Sequence, residues 1–278
     1  MVLAIPTLPS EQEIIQKCRE ACAANPKAFI RGTPLIDSTG TPYAWVRFGY
    51  SDVYMEDART QQYVADIVKQ DDAAPVRVPA VYSFFKSQGR GYIVMELIDG
   101  EVCSNADADL VAAAVQYLIA IKAPTDQPGP IGGGPVCHTL FPDVRSSVTY
   151  SSVDWLEKHM NGILAHVGRL QRLSLKSQVK TYGLSLCPSD MRRKNFLKDR
   201  EGKIVAIDFN CTCFLPISFF EVALYHHDDF THLIRQRIVY PTSAQSDTLH
   251  KALKTLVPFG TDKLGLPREL KAQTVIVW

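Results

Sequence analysis

Apolar residues that recur every three to four positions predict several amphipathic helices. Ser10 and Glu13 have the spacing of a capping box, and the apolar positions that follow them predict a helix that ends near Asn25. The same periodicity predicts four further helices, over residues 56–68, 108–121, 153–170 and 218–237.

Short β-type runs separated by turn residues predict strands, most of them in the first hundred residues. A turn over 38–42 joins Leu35-Ile36 to the run 43–48 and predicts a hairpin. Further strands are predicted over residues 80–85, 91–97, 184–186, 196–198 and 204–209. The pattern therefore predicts an α+β fold in which a small β-rich lobe precedes a larger, mainly helical lobe, with a hinge near 97–100.

The composition is that of a globular protein without a strong electrostatic bias. The chain has 278 residues, of which 46% are hydrophobic, and its net charge is +1. This balance gives no general attraction to nucleic acid or to an anionic membrane, and no apolar run reaches the ~18 residues of a membrane span. The N-terminus has no basic region before an apolar stretch, so we expect a cytoplasmic protein. Seven cysteines, an odd number, predict reduced thiols and no structural disulfide.

Three oxygen-bearing side chains follow one another with a suggestive spacing. Asp190 precedes Asn195 by five positions, and a predicted hairpin then leads to Asp208 at the end of an apolar strand. Phosphoryl transfer from a nucleoside triphosphate needs a carboxylate to orient the acceptor hydroxyl, and an amide oxygen and a second carboxylate to hold Mg²⁺ on the phosphates. The hairpin can bring all three groups to one point.

With this motif the chain resembles the protein-kinase-like superfamily, in particular its aminoglycoside phosphotransferase and choline kinase branch, from about Leu35 to Leu224. The resemblance implies a two-lobed fold that binds ATP and Mg²⁺ and acts on a small-molecule acceptor. It implies that Asp190 is the catalytic aspartate and that Asn195 and Asp208 are the Mg²⁺ ligands.

The resemblance also assigns roles in nucleotide binding. Four consecutive residues correspond to the strand end and hinge that hold adenine: Met95, Glu96, Leu97 and Ile98. Arg47 stands at the phosphate-binding position and is expected to pair with Glu56, while Arg192 is expected to balance charge on the transferred phosphoryl group. The implied organisation is a helical extension over 1–32, an N-lobe over 33–98 and a C-lobe over 99–278.

Three positions depart from the family pattern and keep alternatives open. Arg47 replaces a lysine, Cys187 replaces a histidine, and Asn210 replaces the glycine that follows Asp-Phe. The expected function is Mg²⁺-dependent transfer of the γ-phosphate of ATP to a hydroxyl. The alternatives are a kinase-like binding protein without phosphoryl transfer and a kinase fold that uses Asp190 or Asp208 as acid or base in another reaction. Residues 192–194 are alternatively a solvated turn.

Other motifs have a structural and a functional interpretation. The glycine-rich segment 128–135 lacks the ending of a nucleotide P-loop and is expected to be a rigid surface loop or a wall of the acceptor pocket. Cys211 and Cys213, with His226 and His227, match no common zinc spacing.

Asp228 and Asp229 interrupt the apolar pattern of the helix predicted over 218–237. We expect them to form a solvated or capping face. The alternative is that one of them faces the acceptor cleft and selects a cationic substrate.

Overall fold

The computed structural model describes residues 7–50, 53–225, 228–240, 243 and 245–272. In this part of the chain the α-helices are α1 (Glu11–Ala24), α2 (Met55–Lys69), α3 (Ala108–Ala120), α4 (Val153–His166), α5 (Leu175–Tyr182), α6 (Ile217–Ala223), α7 (Asp229–Arg235), α8 (Gln245–Phe259) and α9 (Arg268–Lys271). The strands are β1 (Gly32–Ile36), β2 (Pro42–Gly49), β3 (Val76–Arg77), β4 (Val81–Ser87), β5 (Arg90–Glu96), β6 (Gly100–Val102), β7 (Ser185–Pro188), β8 (Phe196–Asp199), β9 (Ile204–Ala206) and β10 (Thr212–Leu215).

The first lobe is an antiparallel sheet of order β1-β2-β5-β4 with one helix on each face. Successive side chains of a strand point to opposite faces, and β5 shows this directly. Tyr92 and Val94 pack with the buried residues of α1, whereas Ile93 and Met95 pack with Ala58 of α2. Both faces of β5 are therefore covered, which explains its almost continuous apolar sequence.

Helix α1 belongs to the packing of this lobe. The predicted capping box is present, since the Ser10 side chain accepts from the Glu13 backbone N–H and the Glu13 carboxylate accepts from the Ser10 backbone N–H. Ile14 and Cys18 are buried against Leu35 and its neighbours in the sheet. Helix α1 thus covers the face of the sheet that carries Leu35, Tyr92 and Val94.

The second lobe combines two small sheets with a helical core. Strands β7 and β10 form an antiparallel pair, and a four-stranded sheet has the order β3-β9-β8-β6. The large core cluster includes side chains of α3, α4, α6, α7 and α8. All seven cysteines are free thiols. Among the described helices, none combines the length and the apolar character of a membrane span; the cytoplasmic location stays a prediction.

The structure confirms the predicted α+β fold class, with a small sheet lobe before a mainly helical remainder. The single helix predicted over 218–237 is wrong, because α6 ends at Ala223 and α7 begins after Asp228. Asp228 is the N-cap of α7, and its side chain accepts from the Thr231 backbone N–H. A side chain that satisfies the free N–H groups of a helix start favours a new helix over a continuous one.

A network around Arg77 connects the two lobes at the hinge. Its guanidinium contacts Glu96 at the end of β5 and Asp199 at the end of β8, each at 2.6 Å. The Asp199 carboxylate is buried and also accepts from two backbone N–H groups of the β8–β9 turn. One side chain therefore ties the hinge to the hairpin that carries Asn195 and Asp208.

Replacing Arg77 should loosen this connection. We expect Arg77→Ala to lower the free energy of unfolding by about 1–3 kcal/mol, because buried Asp199 loses its charged donor. Urea denaturation measures the change. The control is Arg200→Ala, since Arg200 and Asp99 form an ion pair in which both side chains are mostly exposed, and this change should stay within about 0.5 kcal/mol. Equal effects of the two substitutions would contradict the role of Arg77.

Candidate active site

The loop between β7 and β8, which carries Asp190, is anchored by buried Ser189. Its backbone N–H and its hydroxyl both donate to the Cys211 carbonyl, at 2.8 and 2.9 Å. The same hydroxyl accepts from the Thr139 backbone N–H at 3.1 Å. These bonds join the loop before Asp190 to the segment after Asp208.

Asn195 connects the other two residues of the predicted motif. Its side-chain N–H donates to the Asp190 carbonyl at 2.8 Å, and its own carbonyl accepts from the Ile207 backbone N–H at 2.9 Å. Asp208 is the next residue along the chain. Hydrogen bonds thus connect Asn195 to Asp190 and to the residue before Asp208. That the three side-chain oxygens meet at one metal ion stays a prediction.

Both oxygens of Asp190 contact one guanidinium. The Nε and Nη2 atoms of Arg192 each donate to a different carboxylate oxygen at 2.5 Å. The Asp190 side chain is 6% exposed, whereas that of Arg192 is 55% exposed. Burial disfavours the charged carboxylate, but the hydrogen bonds from Arg192 and Asn195, together with the charges of Arg192 and Lys194, outweigh it and hold the pKa of Asp190 below its usual value. Asp190 is therefore ionised at neutral pH, and Arg192 lies on the candidate base.

Asp208 has a strained backbone and a second arginine. Its φ of 64° and ψ of 73° lie in the left-handed region, which is uncommon for a residue other than glycine. This turn of the backbone ends the strand predicted over 204–209 early, at Ala206. The Nη1 atom of Arg47 donates to its Oδ1 at 2.6 Å, and the Arg47 side chain is only 13% exposed.

The expected ion pair between Arg47 and Glu56 is absent from the described structure, in which Arg47 contacts Asp208 instead. The buried carboxylate of α2 is that of the neighbouring Asp57, because successive helical residues point about 100° apart. The side chain of Glu56 lies near Gly134 of the glycine-rich segment.

Asp57 pairs with Arg145, a residue that no sequence motif singled out. The Arg145 Nη2 atom donates to the Asp57 carboxylate at 2.7 Å, and the guanidinium lies 3.5 Å from the Tyr54 ring centre. Burial raises the pKa of Asp57 to about 6, although the charges of Arg145 and Arg47 act against that shift. This pair connects α2 to the wall of the cleft.

An apolar cavity of about 300 Å³ lies at the hinge. Its apolar lining includes Trp45, Met95, Leu97, Ile98, Leu197 and Ile207, and its charged lining includes Arg47 and Asp208. In the described part of the chain, the backbone N–H and C=O groups of Leu97 and Ile98 have no hydrogen-bond partner within the protein. An apolar cavity beside backbone N–H and C=O groups without hydrogen-bond partners suits a heterocyclic base.

The hinge residues differ in what they present to this cavity. The Glu96 carboxylate is occupied by Arg77 and by the Ala80 backbone N–H. The Met95 sulfur lies 3.6 Å from the Gln61 side-chain nitrogen, deep in the cavity wall. Leu97 and Ile98 are thus the residues of the predicted hinge with free backbone groups.

A second cavity of about 300 Å³ lies on the other side of Asp208 and is polar. Its lining includes Asp190, Arg192, Lys194, Asp208 and Asn210. Asp208 lines both cavities, and Asp190 lines only the second. The hinge cavity and this catalytic cavity therefore meet at the predicted metal ligand.

Asn210 and Cys187, which depart from the family pattern, occupy ordinary backbone conformations. Asn210 lies in a 3₁₀ turn over Phe209–Cys211, and the positive φ in this segment belongs to Asp208. A glycine is therefore not required at position 210. Cys187 is buried opposite Cys213 in the β7–β10 pair, and burial raises the pKa of its thiol.

The glycine-rich segment 128–135 is not among the residues that line the catalytic cavity. It packs against α2, where the Ile131 backbone N–H donates to the Thr60 hydroxyl, and it pairs with β10 through Gly129 and Phe214. The segment therefore supports α2 and lies outside the cavity that contains Asp190, and a role as a wall of the acceptor pocket stays a prediction.

Asp228 and Asp229 do not line the catalytic cavity, and Asp228 is a helix cap. The structure thus favours the capping interpretation of this pair. His226 and His227 lie outside the described residues. Among the residues that are described, no group of three or more His, Cys, Asp or Glu side chains is arranged to hold a metal ion.

The residues at the junction fit a magnesium ion that is bound partly by a nucleotide. Mg²⁺ is usually held by one or two carboxylates together with phosphate oxygens. Asp208 supplies a carboxylate that faces both cavities. Asn195 is buried and lines neither cavity, so its role as a metal ligand stays a prediction. The buried side-chain oxygen of Asn210 has no hydrogen-bond partner in the described structure, so an oxygen beside Asp208 remains unsatisfied. These residues would hold the ion.

The chain is similar to solved structures of small-molecule kinases, the branch that the sequence resembles. A Haemophilus somnus protein described as a fructosamine-3-kinase is 13% identical with a TM-score of 0.49, and 88% of each chain is covered. The choline kinase LicA from Streptococcus pneumoniae is 13% identical with a TM-score of 0.43, again over 88% of each chain. APH(2'')-IIa in complex with streptomycin and ATP is 14% identical with a TM-score of 0.45, over 96% of this chain and 95% of that one.

No protein-family model matches the chain, and no curated protein matches it. At these identities and TM-scores, the similarity to solved structures identifies neither a reaction nor a substrate.

The contact between Arg192 and Asp190 should be visible in the titration of Asp190. We expect Arg192→Ala to raise the pKa of Asp190, because burial is then opposed only by the Asn195 hydrogen bond and the Lys194 charge. The carboxyl carbon chemical shift of Asp190, followed by NMR from acidic to neutral pH, measures this change. Arg193→Ala is the control, since Arg193 contacts Asn105 instead. An unchanged Asp190 pKa in Arg192→Ala would contradict the described contact.

Proposed function

We propose that the protein is a Mg²⁺-dependent phosphotransferase that moves the γ-phosphate of ATP to a hydroxyl group of a small molecule. The observation that carries the proposal is the position of Asp208, which lines both the apolar hinge cavity and the polar cavity with Asp190. A nucleotide in the first cavity would extend its phosphates to Asp208 and meet an acceptor in the second.

The hinge cavity supports a purine nucleotide as the donor. Its apolar walls bury the faces of a base, and the free backbone groups of Leu97 and Ile98 supply edge hydrogen bonds. Arg47, which lines this cavity and contacts Asp208, adds a guanidinium that suits phosphate oxygens. We infer ATP as the nucleotide.

The catalytic cavity supports in-line transfer to a hydroxyl. Asp190 takes the proton of the acceptor hydroxyl, whose oxygen then forms a bond to the γ-phosphorus. The bond from that phosphorus to the bridging oxygen breaks, and ADP leaves with the electron pair. The cavity volume of about 300 Å³ matches a small acceptor.

Arg192 is the group that must move in this reaction. In the described state it covers both oxygens of Asp190, but its side chain is half exposed and has room to turn. The triphosphate offers a stronger anionic partner, so we infer that the guanidinium moves from Asp190 to the transferred phosphoryl group. This exchange frees the base only when the donor is present.

Asp208 and Asn195 would hold Mg²⁺ at the junction of the two cavities. When bound, the ion neutralises the phosphate oxygens and favours departure of ADP. The protein residues fix where the phosphates lie relative to Asp190, because Asn195 is hydrogen-bonded to the backbone of Asp190 and of Ile207.

A second candidate is a nucleotide-binding protein that does not transfer phosphate. The observation in its favour is that the carboxylates of Asp190 and Asp208 are each engaged by an arginine. If Arg192 stayed on Asp190 after nucleotide binding, the base would remain blocked. ADP formation with a panel of small alcohols separates the two functions, since the binding protein would show nucleotide binding without ADP.

Substitution of the two aspartates tests the assigned roles. We expect Asp208→Asn to weaken Mg²⁺-dependent binding of a nonhydrolysable ATP analogue by about tenfold or more, because a carboxylate ligand is lost. Asp190→Asn should leave this affinity within about twofold and reduce ADP formation by about 10²–10⁴-fold. Isothermal titration calorimetry and a coupled ADP assay measure the two effects.

The control for this pair is Asp126→Asn, an exposed carboxylate that lines neither cavity. It should change neither quantity. Equal loss of nucleotide affinity in Asp190→Asn and Asp208→Asn would contradict the separate roles of the two carboxylates. Absence of Mg²⁺-dependent nucleotide binding in the unmodified protein would remove the proposed function itself.

A further inference from the structure

We infer that Asn210 is an additional oxygen ligand of the metal ion, a role that a glycine at this position cannot fill. The inference rests on the proposed function, since it concerns the metal that accompanies the nucleotide. The side-chain oxygen of Asn210 is buried and has no hydrogen-bond partner among the described residues. A buried polar atom without a partner costs about 1–3 kcal/mol, so such atoms in a folded protein call for a ligand.

The backbone carbonyls of Asn210 and of the next residue accept hydrogen bonds, whereas the side-chain oxygen of Asn210 accepts none among the described residues. The Asn210 carbonyl accepts from the Cys137 thiol, and the Cys211 carbonyl accepts from the backbone N–H and hydroxyl of Ser189. The Thr212 backbone N–H closes the 3₁₀ turn on the Phe209 carbonyl. The unsatisfied oxygen is therefore a property of an ordered turn.

The neighbours of Asn210 suit a metal ion that arrives with a triphosphate. Asn210 is two residues from Asp208 and lines the same cavity as Asp190 and Asp208, together with four basic side chains, those of Arg31, Arg145, Arg192 and Lys194. The basic groups suit phosphate oxygens, and the acceptor oxygens of Asp208 and Asn210 suit the ion that the phosphates carry. An amide oxygen and a carboxylate are ligands that Mg²⁺ accepts.

The left-handed backbone of Asp208 provides the local reason for this arrangement. Its φ of 64° turns the chain sharply before the 3₁₀ turn, so that residues 208 and 210 both line the catalytic cavity. The strain at Asp208 is the kind that persists at ligand sites, where the surrounding structure holds an unfavourable conformation.

The experiment uses Mn²⁺ as the probe ion, titrated into the full-length protein that is saturated with a nonhydrolysable ATP analogue and followed by electron paramagnetic resonance. We expect Asn210→Ala and Asn210→Gly to weaken Mn²⁺ binding by about tenfold, and Asn210→Asp to tighten it several-fold because a carboxylate replaces an amide. Asn105→Asp is the matched control, since Asn105 lines neither cavity, and it should leave the affinity unchanged.

Thermal unfolding without metal provides an independent measurement. Asn210→Ala removes an unsatisfied buried oxygen, so it should not lower the melting temperature of the metal-free protein. Unchanged Mn²⁺ affinity in all three Asn210 variants, with loss of affinity in Asp208→Asn, would overturn this inference alone. Failure of the unmodified protein to bind Mn²⁺ with the nucleotide would overturn the proposed function as well.

Discussion

Two guanidinium–carboxylate contacts, Arg192 with Asp190 and Arg47 with Asp208, set the electrostatics of the cleft. Each aspartate is at least partly buried, and a buried carboxylate is stable only when it is paired or hydrogen-bonded. The arginines supply that stabilisation in the absence of other ligands. They also occupy the oxygens that the proposed chemistry uses, so ligand binding must exchange one set of positive charges for another.

In the proposed reaction, the two arginines differ in whether they can leave their aspartates, because the two ion pairs differ in which partner is buried. Arg192 is mostly exposed while Asp190 is buried, so the arginine can leave without disturbing the core. Arg47 is more buried than Asp208, and it projects from the central strand β2 towards the hinge cavity. Arg192 can therefore move away from Asp190, whereas Arg47 is suited to provide a fixed positive charge near the phosphates in the proposed complex.

Local sequence patterns predicted most helices and strands, because these depend on residues that are close together along the chain. They also predicted the hairpin between Asn195 and Asp208 for the same reason. The capping box of Ser10 and Glu13 and the hairpin that returns Asp208 to Asn195 are readable from neighbouring residues. The pair of Asp57 and Arg145 joins positions 88 residues apart, and no local pattern reports such a contact. The assignment of Glu56 failed for a related reason, since helical periodicity alone did not decide which of two adjacent acids is buried.

The departure at position 210 shows how one side chain changes the meaning of a motif. Glycine is favoured where the backbone needs a positive φ. In this segment the residue with positive φ is Asp208, so position 210 can hold a residue with a side chain. The buried amide oxygen of Asn210 has no hydrogen-bond partner among the described residues, which is unfavourable unless a ligand satisfies it. Under the proposed function, this substitution adds an oxygen ligand for the metal ion and does not remove activity.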